Sequence, residues 1–432
     1  MTAEIAIMNR NAVALAADSA VTITWGNGSK VYNGAEKLFA LTKYHPVGVM
    51  VFGTGDLCRV SWELIVKQYR KKLGDRSFDT LNEYAIDFLS FIEEQDEGAP
   101  PLIPDDLKNE SLQSMFHEVL KIVIGIVEKR IFSLHRTGSA ITPDITHNIF
   151  ADELVNLHKM FSEADYLQGF SPECEDEVRD LTHALTEQVM HDEYGENNPL
   201  PPSVVEQFKN LFNVMACKQI PIGVDTGLVI AGYGEKEYFP SVLCYSVKGF
   251  VSNRLRYCAT SEKSMSSGHC TLQAYAQDEE VLTFMQGISP KLYDDIKSEY
   301  LNVFFKCHAY MKSLVADKFG ESTDEYNAEM ATIENDIDCA FDSAIKNIQR
   351  KMFFEYEEKI KKMIEFLPKE DLAYMAESLV SMTAFKRKVS NESESVGGPI
   401  DVAIISKGDG FIWVKRKHYF KKKYNGHYFK RT

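Results

Sequence analysis

The stretch Thr2-Ala-Glu-Ile-Ala-Ile-Met8, followed by Val13-Ala-Leu-Ala-Ala-Asp18-Ser19, decides how this chain begins to fold. Each is a short apolar run, and Asn9-Arg10-Asn11 separates them, so the pattern predicts two strands joined by a tight turn. A second pair follows, Lys37-Leu-Phe-Ala-Leu41 and Val47-Gly-Val-Met-Val-Phe52, split by Lys43-Tyr-His-Pro46. Four strands are therefore expected in the first 55 residues, with Ser19 to Glu36 as a connecting loop and Gly53-Thr-Gly-Asp56 closing the sheet.

Beyond Leu57 the hydrophobic period changes. Trp62, Ile65, Val66 and Tyr69 recur at i, i+3, i+4 and i+7, and Phe78, Leu81, Ala85 and Phe88 mark a second helix over about 77–95. The proline-rich 98–104 reads as a linker, and about 106–217 is helical throughout, interrupted near 136–146 and 197–202. Strand character returns at 227–232, 241–247, 255–259 and 270–275; helical periodicity takes over from about 290 to 388, and 400–405 and 410–414 are the last strands. This order predicts an α+β fold whose sheet is completed late.

At about 150 residues per domain, 432 residues suggest two to four domains. The strands at 1–55, 227–275 and 400–414 must meet, however, so the sequence is read as one domain over 1–414. It carries helical insertions at about 75–220 and 290–388, and a tail over 415–432 follows it. Hydrophobic residues at 44% and charged residues at 26% exclude collagen-like and wholly disordered chains. No apolar run approaches the roughly 18 residues a membrane span needs, and the first residues lack the pattern of a signal peptide, so a cytoplasmic location without membrane contact is expected. The eight cysteines form no C-x-x-C pair and no cluster with histidine, which predicts free thiols and no metal or other cofactor.

The net charge of −15 is unevenly spread. Lys415 to Thr432 holds eight Lys/Arg residues and no acid, interleaved with Tyr419, Phe420, Tyr424, Tyr428 and Phe429, leaving about −23 on the remainder. Such a pole suits phosphate, nucleic acid, an acidic partner or another subunit, and equally a solvated terminus. His183, Glu187 and His191 fall at i, i+4 and i+8 of a helix, a spacing open to a metal but more simply a polar face. No phosphate-binding glycine loop, dinucleotide fingerprint or H-E-x-x-H occurs.

Thr2 carries the clearest chemistry. Removal of Met1 would leave it with a free α-amine, and an amine of ordinary pKa near 7.7–8.0 can take the proton from the hydroxyl of its own residue. Asp18 ends one apolar strand and Lys37 opens another, so all three residues come to strand ends on one side if those strands are neighbours in one sheet. An ammonium beside the hydroxyl lowers its pKa, and a carboxylate holds that ammonium in place. An ordinary salt bridge and a turn glycine account equally for Asp18, Lys37 and Gly53 taken singly.

Together these segments, with Leu228-Val-Ile-Ala-Gly232-Tyr and Val396-Gly-Gly-Pro-Ile-Asp401-Val-Ala-Ile-Ile405, resemble the proteasome β-subunit type of Ntn (N-terminal nucleophile) hydrolase, the group that includes the bacterial proteasome-like proteases. The resemblance covers about 150 residues and implies a four-layer αββα sandwich. It also implies a threonine-type peptidase that is oligomeric, acts on peptide or protein substrates and is served by a separate ATPase. It assigns Thr2 as nucleophile, Asp18 as the carboxylate orienting the lysine, Lys37 as the lysine tuning the nucleophile and Gly53 as the oxyanion donor through its N–H. The chain departs from the pattern in its longer Ser19–Glu36 segment and in Glu392-Ser-Glu-Ser395-Val-Gly397, where Ser395 or Ser393 stands in for the family's serine. Ser264-Met-Ser-Ser-Gly268 is either the family's other serine segment or a hairpin loop. A catalytically silent scaffold subunit, and a non-peptide amidohydrolase with the same nucleophile, are the alternatives.

Overall fold

The structure is a computed structural model that describes residues 2–25, 28–94, 101–136, 140–195, 200–320, 323–390 and 396–425. The amino-terminal part supplies β1 (Glu4–Met8), β2 (Ala12–Ala17), β3 (Ala20–Trp25), β4 (Gly28–Asn33), β5 (Leu38–Ala40), β6 (Val47–Gly53), β7 (Asp56–Leu57) and β8 (Val60–Ser61). Helices α1 (Trp62–Leu73), α2 (Leu81–Glu93), α3 (Asp105–Arg136), α4 (Pro143–Ser162), α5 (Pro172–Tyr194) and α6 (Pro202–Cys217) follow. Next come β9 (Thr226–Gly232), β10 (Ser241–Val251), β11 (Arg254–Ala259) and β12 (Thr271–Ala274). After them come α7 (Glu279–Gln286), α8 (Pro290–Phe319), α9 (Asp324–Met352), α10 (Glu358–Phe366) and α11 (Lys369–Val389), and finally β13 (Asp401–Ser406) and β14 (Gly410–Lys415).

Ten of these strands form two antiparallel sheets, ordered β12-β1-β2-β13-β14 and β11-β10-β9-β6-β5. The three strand-rich segments of the sequence thus meet, and β13, added from the far end of the chain, pairs directly with β2 in the register Asp401↔Ala17 to Ser406↔Ala12. Alternation along the strands explains why the sheets stack. Ala6, Met8, Val13 and Leu15 point from the first sheet onto Met50, Val229, Ala231 and Val242 of the second. The opposite set, Ile5, Ile7, Ala14 and Ala16, packs against Ile364 of α10 and Leu372, Ala376 and Val380 of α11. On the far side of the second sheet, Val49, Val51 and Leu228 lie under Trp62, Ile65 and Tyr69 of α1 and Phe88 of α2. The central strands are therefore buried on both faces, which is why β1 and β2 are apolar along most of their length rather than strictly alternating.

The insertions behave differently from one another. Helices α3 to α6 enclose a core of their own, with Phe116 and Phe212 stacked at 4.4 Å between ring centroids. The long pair α8 and α9 meets edge-on through Phe304 and Phe341, while Val315 is the buried residue of α8 and Met330 and Ile345 those of α9.

Two expectations are corrected. Ser19–Glu36 is not simply a loop, because β3 and β4 form a hairpin in the register Ala20↔Asn33 to Trp25↔Gly28, so six strands rather than four lie within the first 55 residues. The helical region 106–217 breaks at a further point, around 163–171, where Tyr166 instead bridges Lys218.

Candidate active site

Thr2 precedes β1, Asp18 follows β2 and Lys37 precedes β5, so three chain ends converge where the two sheets meet. Pairing fixes the first two: β1 and β2 run antiparallel from Glu4↔Ala17, and Asp18 N donates to Ala3 O at 3.1 Å. Lys37 is held by its own backbone, whose carbonyl accepts from Val51 N of β6 at 2.8 Å.

Asp18 is fully buried and saturated with donors. Its Oδ1 accepts from Ala3 N at 3.2 Å and Lys37 Nζ at 2.5 Å, and its Oδ2 accepts from Ala20 N at 3.3 Å and Gly397 N at 2.9 Å. A carboxylate removed from water is tolerated when it is paired and fully hydrogen-bonded, as this one is. The neighbouring Ser19 is tied to the 396–400 segment on both sides: its N donates to Gly397 O at 3.1 Å and its Oγ to Pro399 O. That segment therefore closes over the site by holding Asp18.

Lys37 Nζ has a second acidic neighbour, Glu4 Oε1 at 3.4 Å. Glu4 lies two residues after Thr2 on the same face of the strand and is completely buried. Neither of its carboxylate oxygens makes a well-aligned hydrogen bond, but the Thr2 hydroxyl and Lys37 Nζ are its polar neighbours and both favour its charged form; Thr2 itself is only 4% exposed. Burial, reinforced by the charge of Asp18, pushes the Glu4 carboxyl up to about 7 against the opposing pull of Lys37. Lys37 thus stands between two carboxyls, with the Thr2 hydroxyl next to the second.

No protein-family model matches the chain, and a search of curated proteins returns no match.

Gly53 ends β6, two residues past the strand position that binds Lys37, and pairs with Thr226 of β9. Its φ of +87° and the position its Cβ would take, 2.6 Å from Asp225 O, both demand glycine. The adjoining Thr54 hydroxyl bonds to that of Thr226, so the turn is fixed from both sides. A cleft of about 620 Å³ opens beside the Asp18 anchor, lined by Val31 and Asn33 of β4, Phe385 and Lys388 of α11, and Gly397.

Ser395 and Ser393 lie outside the described residues. Ser264 does not belong to the site: its Oγ accepts from Cys244 N and donates to Thr260 O, both at 3.0 Å, and so pins the segment after β11. On α5, Glu187 pairs with Lys209 at 2.6 Å, and among the described residues no cluster of histidine, cysteine and acidic groups is arranged to hold a metal. The start of the basic tail docks on its own chain, Lys417 N and Nζ meeting Asp401 at 2.8 and 2.6 Å and Lys415 pairing with Glu377.

Glu4 is the residue that sequence reasoning passed over. Its signal was an acid inside an otherwise apolar strand, Ala-Glu-Ile-Ala-Ile, at a position whose alternation partner is Thr2.

Proposed function

We propose that the chain is a threonine-nucleophile amidohydrolase of the proteasome β-subunit type, built as an αββα sandwich, with peptides or proteins as substrates. The observation that carries this reading is the buried cluster in which the Thr2 hydroxyl adjoins Glu4, and Glu4 in turn adjoins a Lys37 that Asp18 holds at 2.5 Å.

With Met1 removed, the Thr2 α-amine takes the Oγ proton as Oγ attacks the substrate carbonyl, and the Lys37 ammonium favours the developing alkoxide. The tetrahedral oxyanion accepts a hydrogen bond from Gly53 N–H, a close approach that the absence of a Cβ allows. The amine then passes its proton to the leaving nitrogen, the C–N bond breaks, and Thr2 is left as an ester. Water, deprotonated by the same amine, attacks that ester and restores the hydroxyl. The cleft lined by Asn33, Phe385 and Lys388 offers room for side chains flanking the scissile bond. Assembly into a homo-oligomer, a cytoplasmic location and supply of unfolded substrate by a separate ATPase belong to the same proposal.

The test is hydrolysis of a fluorogenic peptide library by the full chain and by Thr2→Ala. Turnover by the parent and none by Thr2→Ala supports the reading. Equal turnover by both overturns it, and no turnover by either supports the silent scaffold.

A further inference from the structure

The Thr2 site as described contains one buried cation, Lys37, and two buried carboxyls, Asp18 and Glu4. Asp18 has its full set of four donors, whereas Glu4 has no well-aligned donor, only the Thr2 hydroxyl beside it and Lys37 Nζ at 3.4 Å. A buried carboxyl that shares its only cation with a second carboxylate is costly in its charged form, and a second cation close by offsets that cost. The residue that can supply one is Thr2, whose α-amine carries a proton at neutral pH once Met1 is gone.

We propose that Glu4 is the counter-charge of the Thr2 α-ammonium, so that freeing the amine completes the charge balance of the cluster and Glu4 sets the pH at which the amine becomes a base. The inference rests on the threonine-nucleophile reading and deepens it. Its geometric basis is the placement of Glu4 two residues from Thr2 on one strand face, with its carboxyl between the Thr2 hydroxyl and Lys37 Nζ, 3.4 Å away. The other charged groups near this end are committed elsewhere: Lys263 donates to Tyr275 O at 2.9 Å, and Arg387 donates to the side chain of Gln277, whose N binds Thr2 O at 3.1 Å. The Tyr275 hydroxyl, buried and pushed far up, stays neutral. A carboxyl already raised by burial to about 7 gives its proton up readily to an adjacent amine and becomes the anion of the pair. Glu4 is in this sense a positioning residue, acting on substrate only through the amine.

The experiment is the pH dependence of acetylation of the Thr2 amine by acetic anhydride, followed by mass spectrometry of the amino-terminal peptide. It uses full-length chains released from a cleavable amino-terminal fusion so that Thr2 comes first. The parent is expected to show an amine that titrates above its unperturbed range, and Glu4→Gln one that titrates at least about one unit lower, a tenfold shift in the proton equilibrium. Superimposable titrations of the two chains overturn the proposal. A Glu4→Asp chain serves as control for folding, and its amine is expected to fall between the two. Because the readout requires no turnover, a chain that is inactive on peptides but shows the shift sinks the enzymatic reading and leaves the pairing standing.

Discussion

Lys37 Nζ lies 2.5 Å from Asp18 Oδ1, which joins the end of β2 in one sheet to the start of β5 in the other. Both partners are almost wholly removed from solvent, so the contact is a buried ion pair that fixes the relative position of the two sheets at the Thr2 end. Such a pair matters through what happens when half of it is lost.

Asp18→Ala takes from Lys37 the closer of its two carboxyls and leaves three backbone donors without an acceptor in the interior. The expected cost is about 3–5 kcal/mol in chemical denaturation, the scale for breaking one side of a buried pair. The double variant Asp18→Asn with Lys37→Met is expected to recover part of that loss, giving a coupling energy above about 1 kcal/mol in a double-mutant cycle.

Thr2→Ala is expected to fold normally, because the Thr2 hydroxyl makes no well-aligned hydrogen bond and only adjoins the Glu4 carboxyl. A change in stability within about 1 kcal/mol, set against a fall in peptide hydrolysis of at least about 10³-fold, separates a catalytic hydroxyl from a structural one.

Gly53→Ala places a methyl 2.6 Å from Asp225 O in a backbone of positive φ. A loss of about 1–3 kcal/mol follows from the strain, and under the proposed mechanism the shift of the Gly53 N–H removes the oxyanion donor. Peptide hydrolysis should fall further than the stability loss alone explains.

Glu4 makes stability depend on pH in a defined direction. Its carboxyl titrates near 7 in the folded chain and near its ordinary 4.5 when unfolded, so between those values the native state holds the extra proton. Its contribution is therefore greatest below about pH 4.5 and declines as pH rises through about 7. The difference in stability between the parent and Glu4→Gln, both retaining Met1, should change by up to about 3 kcal/mol over that interval, read from Tm at a series of pH values.

Much of this arrangement was legible from local pattern. The apolar runs around Asn9-Arg-Asn11 gave β1 and β2, and the late runs around Ser406-Lys-Gly-Asp409 gave β13 and β14, because short buried strands bounded by turn residues are distinctive. The positions of Asp18 and Lys37 at strand ends followed from the same reading, but the expectation that their strands are neighbours in one sheet is corrected: β2 lies in one sheet and β5 in the other, and the two residues meet across the sheets. The β3–β4 hairpin was missed although Val21, Thr22, Ile23 and Thr24 are β-branched and Gly26-Asn-Gly28 is a turn sequence; length relative to a familiar loop outweighed propensity. Glu4 was missed for a different reason. An acid in a strand reads as an exposed position, and only the packed fold shows Glu4 to be buried.

The most direct test of the central claim is intact-mass and peptide-level mass spectrometry of the purified chain after exposure to a peptide-like β-lactone, an electrophile that acylates a nucleophilic hydroxyl. The account predicts a chain lacking Met1 and carrying one adduct, located on Thr2 and absent from Thr2→Ala. A chain that retains Met1, or one whose adduct lies elsewhere while Thr2 stays unmodified, would contradict it.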